Sequence, residues 1–210
     1  MVFVQTGFAQ TGGTAVAPSN ALENYWAGRN LEGRDKAGAD RYYNEAVRLS
    51  LAEIARNAGT SDTYAALTMT LRRQEKFAEA VQRGEQGLAV FPNDYRIVET
   101  VGESYFHLYN YESSLRYMQR YVNAVPQGDR SSVAYFYIGE TFRLQQKYRR
   151  ADIAYTTAVT LEPSSVLWWW RLGQVRELAG DKTPAREAYE RALRLNPGHQ
   201  EAAAGLQRVR

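Results

Sequence analysis

The chain has 210 residues, of which 44% are hydrophobic and 23% are charged, and its formal net charge is +3. It contains no cysteine, which excludes disulfides, thiolate metal sites and a cysteine nucleophile. Basic and acidic residues are interspersed, so there is no basic block suited to nucleic acid, and no apolar run approaches the roughly 18 residues of a membrane span.

The first 19 residues differ from the rest of the chain. Met1 to Ala9 is apolar, has small residues near its end and precedes the tract QTGGTAVAPS. We expect a flexible leader over 1–19, either an ordinary one or the remnant of a signal peptide cleaved after Ala9, although a basic start is missing. A signal peptide would make the protein periplasmic or secreted, whereas an ordinary leader is compatible with the cytoplasm.

Residues 20–58 predict two helices. Asn20 or Ser19 is a suitable N-cap for the first helix, which contains LENYWAGRN. The second helix carries apolar residues at helical spacing and continues through LAEIARNA until Gly59. It should be about two turns longer than the corresponding helices further along the chain.

Glycine and proline recur at a fixed spacing from residue 61 onward. Gly102, Gly139 and Gly173 are each followed by a proline 24 residues later, and Pro92 fits the same frame with Thr68 in place of the glycine. The intervals between successive prolines are 34, 37 and 34 residues, for Pro92, Pro126, Pro163 and Pro197. This period predicts one repeated supersecondary unit, over 61–94, 95–128, 132–165 and 166–199.

Each unit divides into two amphipathic helices. In the last unit, VLWWWRLGQVRELAG precedes a second helix for which Thr183 is the predicted N-cap and Pro184 the first helical residue. Between Pro126 and Gly139, three extra residues fall in the turn-forming sequence QGDRSS, so the insertion should lengthen a loop and leave both helices intact. Residues 200–210 predict one further helix that caps the array.

This pattern resembles the tetratricopeptide repeat. The unit 166–199 matches it at Trp169, Leu172, Gly173, Ala185, Tyr189, Ala192 and Pro197, and departs from it at Arg176. The unit 132–165 matches at Tyr135, Ile138, Gly139, Phe142, Ala151, Tyr155, Ala158 and Pro163. The resemblance implies an all-α fold, a right-handed superhelical array of antiparallel helical hairpins, as a single domain over 20–210 with a degenerate unit at 20–58 and a C-terminal capping helix.

The glycines of the repeat have a packing role. They lie where the two helices of a hairpin approach, so Gly139→Leu or Gly173→Leu should destabilise the fold by about 1 to 3 kcal/mol through overpacking. The two middle units match the family less well, because Tyr121 is bulky and Gly84 and Gly87 are small for their positions. We expect the hairpins to pack differently there.

In tetratricopeptide proteins the first helix of each unit lines a concave surface. The resemblance therefore implies a partner-binding face with a charged N-terminal half and a more aromatic C-terminal half, formed by Arg72, Arg73, Arg96, Glu99, Glu103, Phe106, Phe136, Glu140, Arg143, Trp170 and Gln174. Aromatic side chains flanked by charges suit a peptide groove. In the alternative interpretation, the capping helix covers Trp168 and Trp170. The residues with which some family members hold a chaperone's C-terminal tail are not matched.

No motif for catalysis, a cofactor or a metal is present. The two histidines, His107 and His199, are 92 residues apart and do not form a metal-binding spacing. Glu99 and Glu103 share one face of a helix, as a catalytic pair could, but a solvated or peptide-binding face is the preferred interpretation. We expect neither enzyme activity nor a cofactor.

Three functions are compatible with these features. The leading hypothesis is a scaffold that binds a peptide or partner protein in the concave groove, in a bacterial envelope or secretion assembly if the leader is a signal peptide. The second is a structural array that self-associates into a homo-oligomer. The third is a saccharide-contacting scaffold of a polymer-export complex, suggested by 15 tyrosines and four tryptophans.

Overall fold

The structure is a computed structural model, and it describes residues 17–210. Within this range the chain forms eleven helices and no strand: α1 Ala21–Leu31, α2 Lys36–Ala55, α3 Ser61–Arg73, α4 Phe77–Val90, α5 Tyr95–His107, α6 Tyr111–Ala124, α7 Ser131–Leu144, α8 Tyr148–Leu161, α9 Val166–Leu178, α10 Lys182–Leu195 and α11 Gln200–Arg208. The predicted leader over 1–19, with its signal peptide, lies almost wholly outside the described residues. No helix of the described range has the length and apolar character needed to cross a membrane.

Each helix packs against the next one in the chain, which makes α1–α2 through α9–α10 five antiparallel hairpins. The odd-numbered helices also contact each other in order, α1 with α3, α3 with α5 and α5 with α7. They therefore form one continuous face, and the even-numbered helices form the other. The prediction of an all-α array of helical hairpins is confirmed.

A glycine in the first helix lets the two helices of a hairpin meet. A Cβ atom on Gly139 would lie 2.7 Å from the ring of Tyr155, and one on Gly173 would lie 2.6 Å from the ring of Tyr189. Both tyrosines are fully buried. At Gly102 the corresponding neighbours are Tyr117 and Met118, at 3.0 and 3.2 Å. The close approach expected from the sequence is present in all three hairpins.

The turn within each of the last four hairpins contains a left-handed residue two positions before the next helix. Glu75, Tyr109, Gln146 and Gly180 have φ values of 59°, 61°, 58° and 86°. Around Gln146 the amide of Lys147 donates to the carbonyl of Phe142 at 2.8 Å, which closes the end of α7. Three of these turns therefore place a side chain in a backbone conformation that favours glycine.

Two helix ends differ from the sequence-based prediction. The last hairpin turns at Gly180, so Asp181 is the N-cap of α10 and Thr183 already lies within the helix; the prediction of Thr183 as N-cap was wrong. α2 is elongated as expected, but it ends at Ala55 rather than just before Gly59, because Asn57 adopts a left-handed conformation. The predicted cap Asn20 accepts a hydrogen bond from the amide of Glu23.

The three-residue insertion lies where the sequence predicts it. α6 ends at Ala124 and α7 begins at Ser131, whereas α8 and α9 are separated only by 162–165. The Ser131 hydroxyl donates to the carbonyl of Val125 at 2.6 Å and thereby fastens the two ends of the loop. We call residues 125–130 the α6–α7 loop.

Candidate functional site

A cavity of about 410 Å³ opens on the face formed by the odd-numbered helices. It lies between α1, α3, α5 and the α6–α7 loop, and we call it the groove cavity. Its lining consists of aromatic, apolar and arginine side chains with few acidic ones: Tyr25, Trp26, Arg29, Met69, Arg72, Arg73, Tyr95, Arg96, Glu99, Thr100, Tyr121, Val125, Gly128, Asp129 and Arg130. Among the predicted binding residues, Arg72, Arg73, Arg96 and Glu99 are therefore brought together.

Helix α1 contributes an exposed tryptophan to the cavity. The side chain of Trp26 is 47% exposed, and its ring packs edge-on against the buried ring of Tyr25 with centroids 5.0 Å apart. The guanidinium of Arg29, one turn further along the helix, lies 5.6 Å from the Trp26 ring. An exposed tryptophan held by a buried aromatic neighbour is a suitable anchor for a bound side chain.

Two buried carboxylates lie behind the cavity. Glu99 and Glu103 are 4% and 6% exposed, and both pair with the Nη2 atom of Arg130, at 2.8 and 3.1 Å. Glu103 also binds the Nη1 atom of Arg72 at 2.9 Å and accepts a hydrogen bond from the hydroxyl of Tyr137 at 3.0 Å. These carboxylates are occupied within the protein and are not presented to solvent.

The two carboxyl groups differ in acidity because their partners differ. Burial raises the pKa of Glu99 above its ordinary value, and the proximity of Glu103 adds to this effect against the opposing charge of Arg130. Burial also disfavours the charge of Glu103, but Arg72, Arg130 and the Tyr137 hydroxyl outweigh it and lower its pKa. Glu103 is therefore the firmly ionised member of the pair.

Glu140 occupies the equivalent place in α7. It is 6% exposed and pairs with the Nη2 atom of Arg143 at 2.7 Å and with Nε of Arg171 at 2.9 Å. The hydroxyl of Tyr155 also donates to it. Glu140 thus links α7 to α8 through Tyr155 and to α9 through Arg171.

The aromatic residues predicted for the C-terminal half of the groove are largely engaged in packing. Phe136 stacks on Trp168 with centroids 5.4 Å apart, and both rings are half-buried. Trp170 packs with the last core cluster beside α11, and the guanidinium of Arg171 covers its ring at 4.2 Å. The alternative in which these tryptophans are covered is thus supported in part, because Trp170 faces the capping helix and Trp168 faces α7.

Two further predicted residues lie outside the groove cavity. Phe106 packs edge-on against Tyr137 with centroids 5.0 Å apart. Gln174 accepts a hydrogen bond from Nη1 of Arg171 at 3.0 Å. Both belong to the same face of the array but not to its cavity.

Sequence reasoning missed the contributions of α1 and of the α6–α7 loop. The sequence pattern places Trp26 in the degenerate unit 20–58 and Arg130 in the loop insertion, and it indicates no binding role for either residue. No signal in the sequence places Arg130 beside Glu99 and Glu103, because these carboxylates lie on α5, whereas the loop joins α6 to α7. Within residues 17–210 no group of three histidine, aspartate or glutamate side chains is arranged to hold a metal ion.

Comparison with known proteins agrees with this architecture. Residues 138–204 match a family model described as tetratricopeptide repeat. Protein O-mannosyl-transferase TMTC1 of Mus musculus is 38% identical over 66 residues, 31% of this chain and 7% of that protein. The Homo sapiens TMTC1 is 25% identical over 195 residues, 85% of this chain and 21% of that protein. The chain therefore spans only a small part of the length of these relatives.

Solved structures share the fold at low sequence identity. MamA 41-end from Desulfovibrio magneticus RS-1 has a TM-score of 0.67 and 17% identity, covering 87% of this chain and 99% of that one. YrrB, described as a TPR protein with an unusual peptide-binding site, has a TM-score of 0.69 and 15% identity, covering 90% and 92%. Residues 138–204 thus match the tetratricopeptide repeat family, and the consecutive helical hairpins with their glycine-to-tyrosine contacts extend the same architecture over the rest of the described chain.

Proposed function

We propose that the protein is a non-catalytic interaction scaffold that binds an extended segment of a partner protein in the groove cavity. The observation that carries this proposal is the cavity itself, which combines an exposed tryptophan with arginine side chains on a rigid floor of packed helices. Tryptophan and arginine are the residues that most often dominate the binding energy of protein interfaces. The peptide-binding site named for YrrB makes the same class of ligand a reasonable one for this fold.

The buried ion pairs support this location rather than an active site. Glu99 and Glu103 are occupied by arginine side chains on opposite sides, so neither is free to transfer a proton to a substrate. Their pairing fixes α3, α5 and the α6–α7 loop relative to each other. A preorganised cavity binds a peptide with a smaller loss of conformational entropy.

Selection from a displayed library of random peptides tests the proposal. The immobilised protein should retain a subset of peptides, and Trp26→Ala should lose them because truncation removes the exposed anchor. Tyr109→Ala is the matched control, since Tyr109 is an aromatic residue that is 79% exposed outside the cavity. Thermal melts should show that all variants fold.

The results show which half of the groove binds the peptide. If Phe136→Ala or Trp170→Ala abolishes retention and Trp26→Ala does not, the C-terminal aromatic surface is the binding site and the proposal is wrong. If the wild-type protein retains no peptide above background, a peptide-binding scaffold is contradicted altogether.

Self-association is a second candidate function. Helices α7 and α9 expose three leucines, Leu144, Leu167 and Leu178, at 41%, 43% and 51%, and such side chains would bury apolar area if two copies met there. We expect Leu178→Glu to lower the mass observed at high concentration in sedimentation experiments if this surface joins copies. A wild-type protein that stays monomeric would contradict this function.

A further inference from the structure

Positive charge is in excess at the end of the groove cavity formed by α1 and α3. Arg73 Nη1 lies 3.2 Å from Glu32, and Arg29 Nε lies 3.8 Å from the same carboxylate. The hydroxyl of Tyr43 also donates to Glu32. One carboxylate is therefore shared by two guanidinium groups, and a net positive charge is left at this end.

The centre of the cavity is balanced. Arg72 and Arg130 face the two carboxylates of Glu99 and Glu103, and each carboxylate has at least one arginine partner within 3.1 Å. A ligand group at the centre would meet no unpaired charge. The centre of the cavity is accordingly suited to an uncharged side chain, for which Met69 and the aromatic walls provide apolar contacts.

The end of the cavity beside the start of α5 carries an excess of negative charge. Arg96 binds Asp94 at 2.6 Å and Asp62 at 2.8 Å, so two carboxylates share one guanidinium. Asp129 of the α6–α7 loop is a further acidic residue in the lining. The cavity is thus positive beside α1 and α3 and negative beside the start of α5.

Arg73 has hydrogen-bonding capacity to spare. A guanidinium carries five N–H donors, and Arg73 places Nη1 3.2 Å from Glu32; its Nε atom is buried without a hydrogen-bond partner, so a ligand would meet the terminal nitrogens. Its side chain is only 22% exposed, so a ligand acceptor near it would be partly shielded from water. Carboxylates match guanidinium groups in geometry and charge.

We infer that the groove cavity selects a partner segment in which an aromatic side chain is adjacent to an aspartate or glutamate. The ring fills the centre against Trp26, and the carboxylate contacts Arg29 and Arg73. This inference rests on the proposed function, and it adds the chemistry of the bound segment.

A bound segment has room to extend beyond Trp26. This side chain lines both the groove cavity and a second cavity of about 560 Å³. The second cavity is bordered by Asn20, Ala21, Leu22, Glu23, Glu53, Ala58, Thr60, Asp62 and Thr63. A bound chain can therefore continue past Trp26 towards the start of α1, away from Arg29 and Arg73.

The test starts from the peptides selected with the displayed random library. Selected sequences should be enriched in aspartate or glutamate next to an aromatic residue relative to the input library. A synthetic selected peptide, acetylated and amidated at its ends, should bind the wild-type protein about tenfold more tightly than the same peptide with asparagine or glutamine in place of the acid. Isothermal titration gives both affinities.

The protein variants assign this preference to the two arginines. Arg29→Gln and Arg73→Gln, tested separately and together, should bind both peptides with nearly equal affinity, and Arg73→Lys should restore part of the preference. The matched control Arg149→Gln alters an exposed arginine of α8 and should keep the tenfold difference. A thermal melt of each variant verifies folding.

The possible results distinguish a failure of this inference from a failure of the proposed function. Peptides that bind with no acidic preference, or an acidic preference that survives loss of both arginines, overturn the inference and leave the scaffold function in place. A preference only for a free C-terminal carboxylate contradicts the assignment of the carboxylate to an aspartate or glutamate side chain. Failure of the wild-type protein to retain any peptide overturns both the inference and the proposed function.

Discussion

At the scale of single residues, four of the five hairpins have a glycine inside the first helix, with Thr68 in its place in α3, and every hairpin turn contains a left-handed residue. Gly139 and Gly173 touch the rings of Tyr155 and Tyr189 so closely that no β-carbon fits without a shift. The spacing of these glycines and aromatics is visible in the sequence, and this part of the packing was predictable. The left-handed turn residues were not, because glutamate, tyrosine and glutamine give no sign of that conformation.

Gly139→Ala is expected to destabilise the protein by about 2 kcal/mol, although alanine is the better helix former. The added methyl group would lie 2.7 Å from the Tyr155 ring, which is fully buried and cannot move freely. Urea denaturation measures the change. Gly198→Ala is the control, since the nearest atom to its added methyl group is 3.5 Å away. Equal stability of the two variants would refute this packing role.

Gln146→Gly is expected to stabilise the protein by roughly 1 kcal/mol, because glycine adopts a φ of 58° without steric cost. The reciprocal change, Gly180→Ala, should destabilise by a similar amount. No atom lies within 4 Å of an added methyl group at Gly180, so its effect would be conformational. Thermal melts that shift in the same direction for both variants would contradict the assignment.

At the scale of elements, the α6–α7 loop does more than connect two hairpins. Arg130 at its end reaches back to Glu99 and Glu103 on α5. The position of the insertion was predictable from the proline intervals. Its ion pairs were not predictable, because the direction in which the longer loop turns depends on the packed array. The equivalent pair of Arg72 with Glu103 joins neighbouring first helices and follows from the repeat length.

Arg130→Ala is expected to destabilise the protein by about 2 kcal/mol at neutral pH, since it leaves two buried carboxylates without a shared cation. This expected loss of stability is smaller than that for a fully buried ion pair, because the Arg130 side chain is 37% exposed. Arg149→Ala, which breaks an exposed pair with Asp181, should change little. Urea denaturation of both variants distinguishes the two roles.

The loss of stability caused by Arg130→Ala should depend on pH. The pKa of Glu103 is lowered in the folded protein, so its stabilising effect is complete above its ordinary pKa of 4.5 and is lost as the pH falls through its folded pKa. Glu99 has a raised pKa and accepts a proton earlier. The difference between wild type and Arg130→Ala should therefore shrink from pH 7 to acidic pH. A constant difference would show that Arg130 does not act through these carboxylates.

At the scale of the whole molecule, stability should follow the linear order of the hairpins. α11 contacts α9 and α10 but none of the early hairpins. Gly205 lies against the ring of Tyr189, so this last helix covers a buried core residue. The capping helix was predictable from its position after the last unit. The groove cavity was not, because its walls come from four segments that are adjacent only after the array has formed.

Removal of residues 200–210 should loosen the array locally. We expect amide hydrogens of α9 and α10 to exchange at least about tenfold faster, while those of α3 and α4 keep their rates, because each repeat contacts only its neighbours. Hydrogen exchange followed by mass spectrometry resolves the segments. A uniform acceleration along the chain would mean that the array unfolds as one cooperative unit.

We propose that a partner segment binds in the groove cavity between α1, α3, α5 and the α6–α7 loop. The most direct test of this claim is the mapping of backbone amide chemical shifts during titration with a peptide selected from the displayed library. We predict the largest shifts at Trp26, Met69, Arg73 and Tyr95 and in the α6–α7 loop. Shifts concentrated instead around Phe136 and Trp170, with the groove cavity unaffected, would contradict the claim.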